Sequence, residues 1–109
     1  MVKTKKGVDE LNGSSFEDKI GSGISVIDFF AEWCMPCLMM SPIVEEVSDK
    51  FKGKVNFGKV NVDKNPQLAS RFGVMSIPTF IFFKDAEEIE RHTGSMSAEQ
   101  FETKIKNLM

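Results

Sequence analysis

The 109 residues hold two cysteines, Cys34 and Cys37, separated by two positions. Side chains three positions apart on a helix share one face, with Cβ atoms about 5–6 Å apart, which overlaps the separation a disulfide requires. Such a pair can take up or give up two electrons by making or breaking one S–S bond. The surrounding residues, Trp33-Cys34-Met35-Pro36-Cys37, suit the start of a helix. Proline is tolerated in the first turn, where backbone N–H groups lack an intrahelical partner. Those free N–H groups and the helix dipole stabilise a thiolate on Cys34. Once Cys34 has formed a mixed disulfide with a substrate, Cys37 stands ready to displace it, and such intramolecular attack far outpaces any free thiol. The reading requires that the leading sulfur be reachable from outside.

These residues must be held by neighbouring elements, and the flanking patterns supply them. An apolar run over 24–30, broken only by Ser25 and Asp28, reads as a strand covered on both sides. After the cysteines, Met40, Ile43, Val44, Val47 and Phe51 make one apolar stripe on a helix over 37–51. Pro42 is expected to kink that helix, since it cannot donate to the Leu38 carbonyl, and Gly53 to end it. Upstream, residues 8–11 suggest a short edge strand, and Ser14-Ser15-Phe16-Glu17 a capping box opening a helix to about Ile20. Downstream come a strand over 55–62 and a short helix from Asn65-Pro66 through Phe72, with Gly73 as its C-cap. The apolar strand 79–83 pairs with 87–92 through a turn at Lys84-Asp85-Ala86, and Ser97 to Gln100 caps a final helix carrying Phe101, Ile105 and Leu108. The order β-α-β-α-β-α-β-β-α predicts an α/β fold with a mixed sheet between helices.

Composition narrows the field. A 12.3 kDa chain reads as one domain over 1–109, able to bury roughly two-thirds of its unfolded surface without staples. Two cysteines are too few for a secreted disulfide framework. A net charge of -2 gives no hint of nucleic acid or an anionic membrane. Residues 1–7 are basic and expected to be loosely ordered. No apolar core for a signal peptide follows them, so the expected location is the cytoplasm. A zinc site needs about four ligands, and two cysteines and one histidine do not supply them within one chain.

From about Val8 to Leu108 the chain resembles the thioredoxin family. Phe29-Phe30-Ala31-Glu32-Trp33-Cys34-Met35-Pro36-Cys37 is similar to that family's active-site signature, Asp28 falls where it carries a buried aspartate, and Ile77-Pro78-Thr79 where it has a cis-proline loop. The resemblance implies a thioredoxin fold, a central mixed sheet of four to five strands with about four helices. It implies a protein dithiol-disulfide oxidoreductase: Cys34 attacks a client disulfide, Cys37 resolves it, and a thioredoxin reductase-type flavoprotein restores the dithiol. No cofactor beyond the Cys34 to Cys37 disulfide and no metal is expected, and the molecule is expected to act as a monomer. Trp33, Met35, Pro36, Ile77, Pro78 and Gly94 would line the client groove, Pro36 and Pro42 shape the active helix, and Lys59 pair with Asp28 or lie exposed on its strand. Taking the thiol pKa of about 7 established for thioredoxins against an ordinary 8.5, thiolate rises about 15-fold at neutral pH. Lower nucleophilicity cancels about 5-fold of that, so the second thiol supplies the larger advantage.

Met35 and Leu38 replace a glycine and a basic residue usual in the family, which makes the groove more apolar and removes a cation near the thiolate. An oxidase or isomerase direction therefore stays open, and a redox-independent binding module of the same fold is a separate alternative. Ser76 and Ala86 also stand where glycine is common. Asp28, between apolar neighbours, is either buried with a raised pKa, exchanging a proton with Cys37, or leans to solvent. Trp33 reads as core packing or as a half-exposed lid, His92 as a surface strand residue without a local partner, and Met39, Met40 and Met75 as packing. Asp85, Glu87, Glu88 and Glu90 read as a solvated hairpin.

Overall fold

The computed structural model describes residues 8–109, so the expectation for residues 1–7 lies outside the described residues. These residues form β1 (Val8–Glu10), α1 (Gly13–Ile20), β2 (Ile24–Phe30), α2 (Met35–Lys50), β3 (Val55–Asn61), α3 (Pro66–Arg71), β4 (Thr79–Lys84), β5 (Glu87–Thr93) and α4 (Ala98–Leu108). The sheet order is β1-β3-β2-β4-β5. Strands β1, β3 and β2 run parallel, whereas β4 is antiparallel to β2 and β5 to β4.

Successive strand residues point to opposite faces, and each face carries its own core. Val26, Phe80 and Phe82 pack with Met40, Val44, Val47, Phe101 and Ile105 beneath α2 and α4. Ile27, Phe29, Ile81 and Phe83 pack with Phe16, Ile20 and Leu68 beneath α1 and α3. Phe101 meets the rings of Phe57, Phe80 and Phe82 at 6.2, 5.3 and 6.1 Å, which docks α4 on the sheet. Each fully buried ring of this kind is worth about 1.5–3 kcal/mol. Strand β2, central in the sheet and covered on both faces, delivers the cysteine segment from its C-terminal end.

Several expected boundaries shift. The cap of α1 is Asn12, whose Oδ1 accepts from Ser14 N and Ser15 N at 3.0 Å each, while Ser15 Oγ accepts from Asn12 N. Asparagine caps as well as serine, and Ser15 reaches back in place of a longer acid. Glu17, expected in the box, pairs instead with Arg71. Helix α2 starts at Met35 rather than Cys37 and runs unbroken through Pro42, and Gly53, at φ +83°, turns the chain after it. At the end of α3, Gly73 at φ +62° donates to Ser70 O and Val74 to Ala69 O, a Schellman closure.

The β4–β5 turn places both Asp85 (φ 49°) and Ala86 (φ 74°) in the left-handed region. Asp85 is tethered there, since its Oδ1 accepts from Gly23 N at 2.8 Å and its N–H donates to Gly23 O. Ala86 has no such compensation. Left-handed backbone costs an L-residue about 1–2 kcal/mol, part of which glycine returns through its freer unfolded chain. Ala86→Gly is expected to stabilise the protein by about 0.5–1 kcal/mol, read as a higher urea midpoint at unchanged m. Among the described residues no helix is long and apolar enough to cross a membrane.

Candidate active site

Strand β2 ends at Phe30 and helix α2 begins at Met35, leaving a short link in which Cys34 is the N-cap. The Cys34 backbone is extended (φ -88°, ψ 108°), and its sulfur accepts the Cys37 N–H at 3.2 Å. Pro36 occupies the first turn, where its missing donor costs nothing. The Cα atoms of Cys34 and Cys37 are 5.2 Å apart and their sulfurs are joined in a disulfide. The backbone therefore already stands where the bond can open and close.

Both cysteines are 4% exposed, so the leading sulfur is less open than the sequence suggests. They pack with Ala31 against Phe30, Val62 and Ile77, while Trp33 and Met35 on either side of Cys34 are exposed. The Ile77-Pro78 peptide bond is cis, and the Ile77 side chain of this loop packs on the cysteines. Hydrogen bonds fix the loop: Thr79 Oγ1 donates to Ser76 O at 2.6 Å, and Gly94 N donates to Pro78 O at 2.8 Å. Gly94 holds φ +103°, a conformation that suits glycine. Of the residues expected around the pair, Ile77 packs on it and Trp33 and Met35 flank Cys34 in the chain, Gly94 is tied to Pro78, and Pro42 lies two turns along α2.

Trp33 is no core residue. It is largely exposed, and its Nε1–H donates to Asp63 Oδ2 at 2.8 Å. Asp63 is held in turn, because the buried Asn61 Oδ1 accepts from Asp63 N and Lys64 N at 2.9 and 3.2 Å. Sequence reasoning missed Asp63 and Asn61. The only signal available was the polar indole N–H, which calls for an acceptor without locating it.

Asp28 is 5% exposed, which removes the solvent-leaning alternative. By strand alternation it shares the α2 face of the sheet with Val26 and sits opposite Phe80. Its Oδ1 is buried without a hydrogen-bond partner among the described residues. Burial pushes its carboxyl from 3.8 up to about 7, against the opposing pull of Lys59. Lys59 is its register partner on β3, yet the two form no ion pair; the ammonium lies over the Phe30 ring, 5.4 Å from its centroid.

Three side readings need correction. Met40 is core, but Met39 and Met75 are exposed, so they do not pack. The acidic hairpin is partly paired: Glu88 binds Arg91 at 2.7 Å and Glu90 binds Lys104 at 3.0 Å. His92 is half-buried, and its Nε2 lies 3.3 Å from Ser95 O. Among the described residues no cluster of three or more metal-ligating side chains forms.

A disulfide closed within the first turn of a helix, at the end of a buried central strand, is the arrangement a dithiol-disulfide oxidoreductase requires. Comparison with known proteins gives the particular lineage. The thioredoxin family model matches residues 7–107. A thioredoxin of Staphylococcus saprophyticus is 46% identical over 85 residues, covering 78% of this chain and 82% of that one, and a thioredoxin of Staphylococcus aureus is 40% identical over the same length. The crystal structure of a Malassezia sympodialis thioredoxin superposes with a TM-score of 0.86 at 33% identity, covering 98% of this chain and 95% of that one. This chain belongs to the thioredoxin family.

Proposed function

We propose that this protein reduces the disulfides of client proteins in the cytoplasm as a monomer, with Cys34 as nucleophile and Cys37 as resolving thiol. The observation that carries the assignment is the Cys37 N–H directed at the Cys34 sulfur, a donor that strengthens when that sulfur is an anion. In the first step the Cys34 thiolate attacks one client sulfur, forming the Cys34–client bond and expelling the other sulfur as a thiolate. Cys37 then gives up its proton, Asp28 being the acceptor, and attacks the Cys34 sulfur. The client leaves with two thiols, carrying the electron pair that the Cys34 and Cys37 sulfurs gave up on forming their disulfide. A reductase of the flavoprotein type returns two electrons. Trp33, Met35, Pro36, Ile77, Pro78 and Gly94 contact the client; Lys59 and Pro42 support Asp28 and the active helix.

Cys37→Ser tests the assignment, because it keeps the attack and removes the release. The variant is expected to accumulate one-to-one mixed disulfides with client protein through Cys34, seen on non-reducing gels and freed by dithiothreitol. Steady-state turnover should fall by on the order of 100-fold or more, since an external thiol must replace a preplaced one. Full turnover without adducts would reverse the roles given to the two cysteines.

A further inference from the structure

The opening of α2, Met35-Pro36-Cys37-Leu38-Met39-Met40-Ser41-Pro42, contains no charged residue, and the first charge along the helix is Glu45. A helix apolar on every side belongs in an interior, yet Met35, Leu38 and Met39 are 64%, 52% and 66% exposed. At positions i, i+3 and i+4 they form one contiguous outer stripe. It runs directly from the cysteine pair: Met35 follows Cys34, and Leu38 and Met39 follow Cys37. Single exposed apolar residues are ordinary, but a contiguous patch beside a reactive centre marks a contact surface. Methionine adds a deformable, polarizable side chain that adapts to varied apolar partners.

The charges beyond the stripe are acidic. Pro42, Glu45, Glu46, Asp49 and Lys50 line a shallow groove on α2, and Lys50 is held at 2.8 Å by Glu102. None of the three carboxylates forms a salt bridge among the described residues; Glu46 acts on Lys50 only at a distance, and with Lys50 bound to Glu102 the groove carries an excess of negative charge.

We propose that Met35, Leu38 and Met39 determine client specificity, selecting protein disulfides flanked by apolar side chains and followed by a basic residue that meets the Glu45, Glu46 and Asp49 groove. This rests on the reading of the protein as a disulfide reductase. At 1.5 Å rise per helical residue the groove lies about 18 Å from Cys34, a span that an extended client chain covers in about five residues.

The test uses the dithiothreitol-reduced full chain and two disulfide peptides of equal ring size. One carries Leu and Phe beside its cysteine and Arg five positions on; the other carries Ser and Gly with the same Arg. Oxidation is followed by Trp33 fluorescence. The apolar peptide is expected to show about 10-fold higher kcat/KM, equal to about 1.4 kcal/mol of preferential binding. In the Leu38→Gln/Met39→Gln double variant the ratio should fall to about 2-fold or less. A ratio near one for the wild-type chain, or a ratio unchanged in the variant, overturns the inference while leaving the reductase reading intact. Reduction of neither peptide, nor of any other protein disulfide, overturns that reading itself. Sedimentation addresses a second copy as the occupant: a micromolar dimer that the double variant dissolves assigns the stripe to self-association and overturns client selection.

Discussion

Cys34→Ser is expected to abolish protein-disulfide reduction, lowering kcat/KM by on the order of 10³-fold or more. Two independent losses produce this. The hydroxyl of serine does not ionise near neutral pH and cannot enter a disulfide, so the N-cap loses its nucleophile. The remaining sulfur, Cys37, then lacks the partner 5.2 Å away in Cα separation that would complete the exchange. Serine is itself a favoured N-cap residue, and its hydroxyl can accept the Cys37 N–H that now meets the sulfur. The fold should therefore survive, with unchanged far-ultraviolet circular dichroism, which separates loss of chemistry from loss of structure. The variant should trap no client. If Cys34→Ser accumulates client adducts through Cys37 while Cys37→Ser does not, the nucleophile has been assigned to the wrong sulfur.

What could be read from the chain, and what could not, follows physical lines. The buried strands β2 and β4 were plain because a predominantly apolar run entered from a glycine or a proline has few other uses. The cysteine pair and the Ser97 cap of α4 were plain because each is a local signal within four residues. Asn12 was missed in favour of Ser14 because several residues in a row can cap, and only backbone geometry chooses among them. The Trp33 to Asp63 bond joins residues 30 apart and leaves no local trace. Met39 and Met75 went wrong for a different reason. Apolar character sorts residues toward the inside only on average, and a methionine left outside looks the same in the sequence as one within. Lys59 was expected either to pair with Asp28 or to lie exposed on its strand; it is Asp28's register partner and its charge opposes the raised carboxyl, while the ammonium rests on the Phe30 face, a contact with no local trace in the sequence.

Asp28→Asn is expected to change how stability depends on pH, and measurement on the disulfide form keeps thiols from titrating in the same range. The Asp28 carboxyl is raised in the fold from 3.8 to about 7, chiefly by burial. Below about pH 4 it is protonated folded or unfolded and costs nothing. As the pH rises, the unfolded chain releases the proton first and the folded state holds it, so stability falls, by up to about 1.4 kcal/mol per pH unit. The fall ends near pH 7, above which both states are ionised and the penalty stays constant. Across this window the wild type should lose on the order of 3–4 kcal/mol relative to Asp28→Asn, whose amide does not ionise. Denaturant titrations of both proteins from pH 4 to 8 measure the gap. A constant gap would show that the carboxyl titrates normally. The same substitution reports on the reaction. A carboxylate that takes the Cys37 proton forms only as pH passes about 7, so release of mixed disulfides by the wild type should accelerate through that range. With asparagine the rise should vanish and the release step slow by about 10²-fold, the usual contribution of a positioned base. Stability and kinetics would then break at one common pH, which a purely structural aspartate would not produce, because its loss would move the first curve and leave the second in place.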